Sequence, residues 1–467
     1  MYDAVVVGSG PNGLAAAVTL AEAGKKVLVL EAAASIGGGT RSAELTLPGA
    51  IHDVCSAVHP TGAASPAFLD MELETHGLQW AQPHIPMAHP LDDGSAAVLL
   101  RDLESTAQRL GADAKAYRKT FGRVADRWDD SIRLALSSPL GALRTPISGA
   151  RFGLLALQTV SGLARGFQTD QGRALVAGLG AHAIAPFNRM ATAGVALTLG
   201  AAAHTVGWPV AVGGSQAIAD ALATRLRGLG GEIETGRPVS TWTEIPPADI
   251  VMFDTAPSAV AAIAGEQIGR RARRYRKFRH GPGVFKVDAL LSEPIPWTAE
   301  EARRAGTVHV GGSYKEIAAA ELEVAQGVEP ERPFVLVAQP SVADPTRAPG
   351  DQQVLWAYCH VPPGSTKDMT QVIFEQIERF APGFRSRITA VSSKDTDDLE
   401  RSNANLVAGD IGGGAFNFRN LFARPTLFKP YRAAPGIYLC SASTPPGAGV
   451  HGMCGRHAAR TALRDLD

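Results

Sequence analysis

Cysteine is scarce in this chain. Its four cysteines, Cys55, Cys359, Cys440 and Cys454, are scattered over 467 residues with no C-x-x-C pair among them. A dithiol redox centre is thereby excluded, and free thiols are expected. Net charge is missing too: Lys plus Arg and Asp plus Glu number 45 each, so no global field points to nucleic acid. No apolar run reaches the length of a membrane span, since the longest weakly polar stretch, Ala191 to Ala203, ends at His204. Met1-Tyr2-Asp3 runs directly into the first strand, leaving no room for a charged leader and an apolar core. These absences point to a cytoplasmic protein and leave a peripheral membrane contact open. The one local excess of charge is seven cations between Arg270 and Arg279. It reads as a solvated helix face, with anionic lipid or another polyanion as the alternative.

What is present in quantity is apolar surface and glycine. At 45% hydrophobic residues the chain can bury a large core and should divide into two domains or more. The stretch VVVGSGPNG places Gly8, Gly10 and Gly13 directly after an apolar strand, Ala4 to Val7. An alanine-rich helix follows from Leu14 to Ala23, and a second apolar strand, Val27 to Leu30, ends at Glu31. Together these make a complete βαβ unit for a dinucleotide. Gly8 permits the tight turn, Gly10 lets a pyrophosphate approach the backbone, and Gly13 lets helix and strand pack closely. The helix N-terminus faces the anion. Glu31 would accept hydrogen bonds from a ribose diol and repel a 2′-phosphate, which disfavours NADP.

The same spacing recurs at Gly447, Gly449 and Gly452, where only 15 residues remain, too few for another βαβ unit. A strand, Gly436 to Cys440, precedes this copy and a helix, roughly Val450 to Leu463, follows it. It reads as a second backbone approach to a ligand. One large cofactor lying across both turns accounts for both patterns. A flavin dinucleotide meets that demand, with its adenosine at the first turn and its ring at the last.

Cofactor-type segments alternate with others. Gly37 to Arg41 form another glycine turn, whose Arg41 could pair with a phosphate oxygen. Residues 66–209 then read as largely helical. Cofactor chemistry is expected to return at Gly213-Gly-Ser-Gln216, and Ala248 to Asp254 read as a further strand. Strands at Phe285 to Leu291, Phe334 to Ala338 and Gln353 to Cys359 belong to a second excursion. The expected division is a discontinuous dinucleotide-binding domain, 1–65, 210–281 and 409–467, and a substrate domain, 66–209 and 282–408. The fold class is α/β: a Rossmann-type FAD domain with an inserted α+β substrate domain.

The motifs VVVGSGPNGLAAA, GPGVFKVDALL, GTVHVGGS, RPFVLVAQPS, VLWAYCHVPPG, NANLVAGDIGGG and GIYLCSASTPPGAGVHGMCG cover essentially the whole chain. In them it resembles the phytoene desaturase-related FAD-dependent oxidoreductases, within the branch of pyridine nucleotide-disulphide oxidoreductase domain proteins. The resemblance implies an amine-oxidase and phytoene-desaturase-like fold with non-covalent FAD. It puts the adenosine half on Gly8, Gly10, Gly13 and Glu31, the phosphates near Gly39 and Arg41, adenine at the main chain of Val239, and the flavin beside Gly447, Gly449 and Val450. Related chains often carry glycine where this one has Ser441.

Flavin dehydrogenation needs a substrate C–H held against the ring, exclusion of water and sometimes a base. His451, His360 and Asp410 are the polar candidates for such roles, each weighed against ordinary structural hydrogen bonding. Apolar segments such as Phe152 to Leu157 and Val195 to Leu199 would suit a small hydrophobic substrate, and equally ordinary helix packing. The expectation is a desaturase or oxidase of such a molecule. Reductive or redox-neutral work on a polyene, and a non-catalytic flavin-bound interaction protein, are the alternatives. No metal site is expected, and the oligomeric state is left open.

Overall fold

The computed structural model describes residues 1–137 and 147–466. Two sheets organise them. The first has six strands in the order Arg432–Ala434, Ile437–Leu439, Ile250–Phe253, Ala4–Val7, Val27–Leu30 and Glu232–Glu234. All pairings are parallel except the one between Arg432–Ala434 and Ile437–Leu439. The three central strands, AVVV, VLVL and IVMF, are buried at every position, as expected for parallel strands covered by helices on both faces.

The second sheet has seven strands: Ile388–Lys394, Gly283–Leu291, Gln353–Val361, Val335–Ala338, Ala305–Val310, Ile85–Pro90 and Ala96–Leu99. Only Ala305–Val310 and Ile85–Pro90 pair in parallel. Two of these strands correct the reading of 66–209 as largely helical, a stretch that also includes 138–146, outside the described residues. Ile85–Pro90 (IPMAHP) is buried throughout and shows no period-2 alternation, and its two prolines argue against a strand locally. Tertiary pairing with Ala305–Val310 overrides that local signal.

Alternation along the long strands divides this sheet's two faces. Phe285, Val287 and Ala357 pack with Ile373 and Phe380 of the helix Thr370–Phe380. Trp356, Tyr358 and Leu336 point the other way, into a core shared with Phe152, Leu179, Leu197 and Trp208. The second face carries the functional cavity.

The chain's two ends meet. The first helix, Pro11–Glu22, crosses the last, Met453–Leu466, through small side chains: Ala15 and Ala16 on one, Ala458, Ala459 and Ala462 on the other, all fully buried. At Gly455 an added Cβ would overlap the carbonyl oxygen of Asn12 and lie 3.0 Å from Ala16 N. At Gly452 it would lie 2.7 Å from the Phe68 ring and 2.8 Å from Ala15 Cβ. Gly452, the third glycine of the C-terminal pattern, therefore serves helix packing, not ligand approach. The obstacle at Gly455 is backbone, which cannot rotate aside. Gly455→Ala should cost about 3 kcal/mol or more through overpacking, read as a lowered midpoint in urea denaturation.

Candidate functional site

One cavity of about 1420 Å³ runs between the two sheets. At one end it is walled by Gly8, Ser9, Gly10 and Asn12, with Glu31, Gly38, Gly39, Arg41 and Val239. Gly8 has φ +101°, a value side chains rarely adopt. A Cβ on Gly10 would meet Asp254 Oδ2 at 2.5 Å, and one on Gly38 would meet Gly10 Cα at 3.2 Å. The two N-terminal glycine turns thus touch, with Asp254 behind the first. Gly13 lies off the cavity; its N–H donates to Asp254 Oδ2 at 2.9 Å. No side chain caps the helix that starts at Pro11, and Asn12 Oδ1 is buried without a partner.

Glu31 accepts from the N–H and O–H of Ser9 at 2.9 and 2.5 Å and from Ala33 N–H at 2.8 Å. Its carboxylate is oriented before any ligand arrives. Arg41, expected near a phosphate, is on the wall and already engaged: Nε donates to the Gly38 carbonyl at 3.0 Å and Nη2 to that of Ser402, so it ties the turn to the helix Thr396–Ser402. The turn at Gly213 to Gln216 is not cofactor chemistry. Gly214 packs on Ser42, and Ser215 N–H donates to Asp53 Oδ1 at 2.7 Å.

The cavity's middle passes Ala448, Gly449, Val450 and His451. Gly449 has φ +141° and Val450, a β-branched residue, has φ +52°; such backbone is strained and needs external support. Thr61 Oγ1 donates to the Gly449 carbonyl and Ser65 Oγ to that of His451, each at 2.5 Å. Gly447 lies behind the wall, near Arg424. Arg424 itself lines the cavity, donating to the carbonyls of Gly412 and Ala442. Burial lowers its pKa.

The three polar candidates separate. His451 is on the wall and 1% exposed. Its Nδ1 accepts from Met453 N–H at 3.1 Å and its Nε2 is buried without a partner. Burial pushes its pKa down to about 4, so the ring is neutral with its proton on Nε2. Asp410 also touches the cavity, but its oxygens accept from Gly281 N–H at 2.9 Å, Gly412 N–H at 2.7 Å and face His280 Nδ1 at 3.3 Å. It is a clasp between loops, not a free base. His360 is not on the cavity. Its Nδ1 meets Glu321 Oε1 at 2.6 Å, and Phe334 and Tyr358 flank the ring; the strand faces the right way but carries His360 past the cavity's edge.

Asp254, Arg424 and His182 all line the cavity, and none carries a sequence motif for a site role. Asp254 ends an apolar strand, a signal available in IVMFD. All four cysteines are free, and Cys55, on the wall, has its thiol pKa raised by burial. Among the described residues no cluster could hold a metal, and no helix is long and apolar enough to cross a membrane.

Residues 6–71 match the NAD(P)-binding Rossmann-like domain. Over its whole length the chain is 26% identical to pyridine nucleotide-disulfide oxidoreductase domain-containing protein 2 of Rattus norvegicus, covering 94% of that protein. It is also 26% identical to hydroxyneurosporene desaturase of Cereibacter sphaeroides, over 99% of this chain and 97% of the other. Over its full length the chain is thus similar to these oxidoreductases, the desaturase among them. Putrescine oxidase bound to putrescine superposes with a TM-score of 0.62 at 18% identity, over 100% of this chain and 99% of the other. Cyclohexylamine oxidase from Brevibacterium oxydans does so at 0.61 and 14%, with the same coverage. These two share the fold.

In this oxidoreductase, burial pushes the Asp254 carboxyl up from 3.8 to about 8, opposed by the Gly13 N–H bond and reinforced by Glu31. Between those values the unfolded chain has released a proton that the folded chain retains. Stability of the ligand-free protein should therefore fall as pH rises from about 4 to about 8, by up to ~1.4 kcal/mol per pH unit from this group. Asp254→Asn should flatten that part of the profile, measured by urea denaturation across pH.

Proposed function

We propose that the chain holds FAD along this cavity and oxidises a small hydrophobic molecule at a C–H bond, as a dehydrogenase, desaturase or oxidase. The observation that carries this reading is the cavity's continuity: it joins the first glycine turn, the Gly449 turn and an apolar wall built by Leu136, Phe152, Leu199, Leu336 and Trp356. At about 1420 Å³ it exceeds what a single drug-sized ligand fills, roughly 300–1,000 Å³. Cofactor and substrate can both be accommodated.

The residues present fit such a group. An uncapped helix start over glycine turns suits a pyrophosphate, the oriented Glu31 carboxylate suits a ribose diol, and Asn12 Oδ1 and His451 Nε2 are buried polar atoms awaiting partners. When bound, FAD supplies a two-electron acceptor for the substrate's hydride. The chain's own contribution is placement. Leu199, Leu336 and Trp356 exclude water and offer apolar contact to the substrate. His451 acts as a neutral hydrogen-bond donor from Nε2; with a pKa near 4 it cannot retain an added proton at neutral pH, so it is no general base.

Glu31→Gln should weaken FAD binding by roughly 1–3 kcal/mol, the scale of a hydrogen bond to a charged group, measured by titrating FAD into protein stripped of it. A paired experiment addresses the second turn. A Cβ at Gly449 would stand 3.1 Å from His451 Cδ2 and 3.2 Å from Thr61 Oγ1 in a backbone conformation reserved for glycine. Gly449→Val should lose FAD, whereas His451→Ala should keep it and change its reduction potential. Full retention of FAD with ordinary reduction kinetics in Gly449→Val would remove the ring from this turn. The reaction itself is tested by anaerobic addition of hydrophobic candidates to the purified holoprotein. Bleaching of the oxidised absorption supports the reading, and turnover only after prior reduction would replace it with a reductive activity.

A further inference from the structure

The substrate end of the cavity is apolar but not uniformly so. Leu136, Phe152, Leu199 and Leu336 line it together with Trp356 and Tyr358. Besides Tyr358 and the unpartnered Trp356 Nε1, a polar group forms around Trp208, which is 2% exposed. Trp208 Nε1 donates to Thr307 Oγ1 at 2.9 Å, which leaves the Thr307 hydroxyl its own proton to give. His182 packs edge-on against Trp208, with ring centroids 6.3 Å apart. Both Thr307 and His182 are on the cavity wall.

His182 is held in place by a second histidine. Its Nε2 lies 3.0 Å from Nε2 of His309, which is fully buried on the strand Ala305–Val310, two positions along from Thr307. Burial, with His360 adding to it, pushes the His182 pKa down to about 3, and burial pushes His309 well down too. Both rings are neutral, so one N–H lies between them. His182 itself is on the cavity wall, and Nε2 is the ring nitrogen that His309 occupies, which leaves Nδ1 for a ligand. Nδ1 accepts when His182 gives the shared proton and donates when His309 gives it. A ring this weakly basic is no proton acceptor for catalysis; it is a hydrogen-bonding contact that can take either sense.

We propose that the substrate is an uncharged molecule with an apolar body and one oxygen head group, a hydroxyl or carbonyl, seated between His182 Nδ1 and the Thr307 hydroxyl. A hydroxyl would accept from Thr307 and donate to His182; a carbonyl would accept from both. An ammonium or carboxylate head would be desolvated there, and the buried charge behind the Trp356 ring, Lys286, is already paired with Asp288. His309 is a positioning residue that orients His182 and sets its sense. This inference rests on the reading of the apolar end as the substrate site.

The test uses the FAD-loaded protein and four probes of equal chain length, 1-octanol, 2-octanone, octylamine and octanoate, titrated calorimetrically at pH 7.5. The expected result is that the alcohol and ketone bind at least tenfold more tightly than the two ions. His182→Phe and Thr307→Val should each weaken octanol binding by roughly three- to tenfold, the loss of one neutral hydrogen bond. His182→Gln should recover part of it, and unchanged flavin absorption reports that each variant folds. Leu199→Trp, which narrows the apolar wall, should weaken all four probes alike. Equal binding of octylamine and octanol, or octanol binding untouched in both variants, overturns the inference while leaving the substrate site intact. Failure of every probe to bind, or binding indifferent to Leu199→Trp, overturns the substrate-site reading itself.

Discussion

The contact on which the rest depends is the crossing of the first and last helices at Gly455. A helix pair normally keeps its axes 8–10 Å apart because side chains stand between them. Here only small side chains stand between them, and a single methyl at Gly455 would overlap the Asn12 carbonyl. That approach brings the start of the last helix beside the start of the first. The Gly449 turn, four residues before the last helix, and the Gly8–Gly10 turn, just before the first, then open onto one cavity. Two glycine patterns more than 430 positions apart in sequence become neighbours because small residues let two backbones meet.

Electrostatics around the first turn balance two opposing demands. Helix dipoles and unpaired amides favour an anion, yet two acids, Glu31 and Asp254, stand close by. Glu31 accepts from Ser9 and Ala33, which holds its carboxyl group in place. Asp254 is buried and its pKa is raised, so at neutral pH it is held mostly as the neutral acid, and a second fixed charge next to the first glycine turn is avoided. At the far end of the cavity His182, Thr307, Trp208 and Tyr358 supply polarity without charge.

Much of the dinucleotide end was legible in sequence because it is local. Strand, turn, helix, strand and terminal acid lie within residues 4–31, and each is set by short-range rules: apolar runs, glycine where φ is positive, and an acid at a strand end. The long strands at Gly283–Leu291 and Gln353–Val361 were readable for the same reason. Ile85–Pro90 was not, because two prolines oppose a strand and only its partner Ala305–Val310 supplies the pairing. His360 misled because its strand was right and its position along the strand was not. Which residue of an alternating row reaches a cavity depends on how far the cavity extends, and no local pattern encodes that.

By itself the sequence determined the cofactor-type βαβ unit, the chain's alternation between two kinds of segment, and the lack of any dithiol pair. These depend on neighbours in the chain, whose geometry is set by covalent links and hydrogen-bond periodicity. Only the tertiary structure decided that Gly449 faces the cavity while Gly452 faces Phe68 and Ala15, that Asp410 is a clasp, and that His182, Thr307 and Trp208 gather in one place. Those assignments depend on which surfaces the folded layers press together, and residues far apart in sequence acquire their chemistry from the partner that packing gives or denies them.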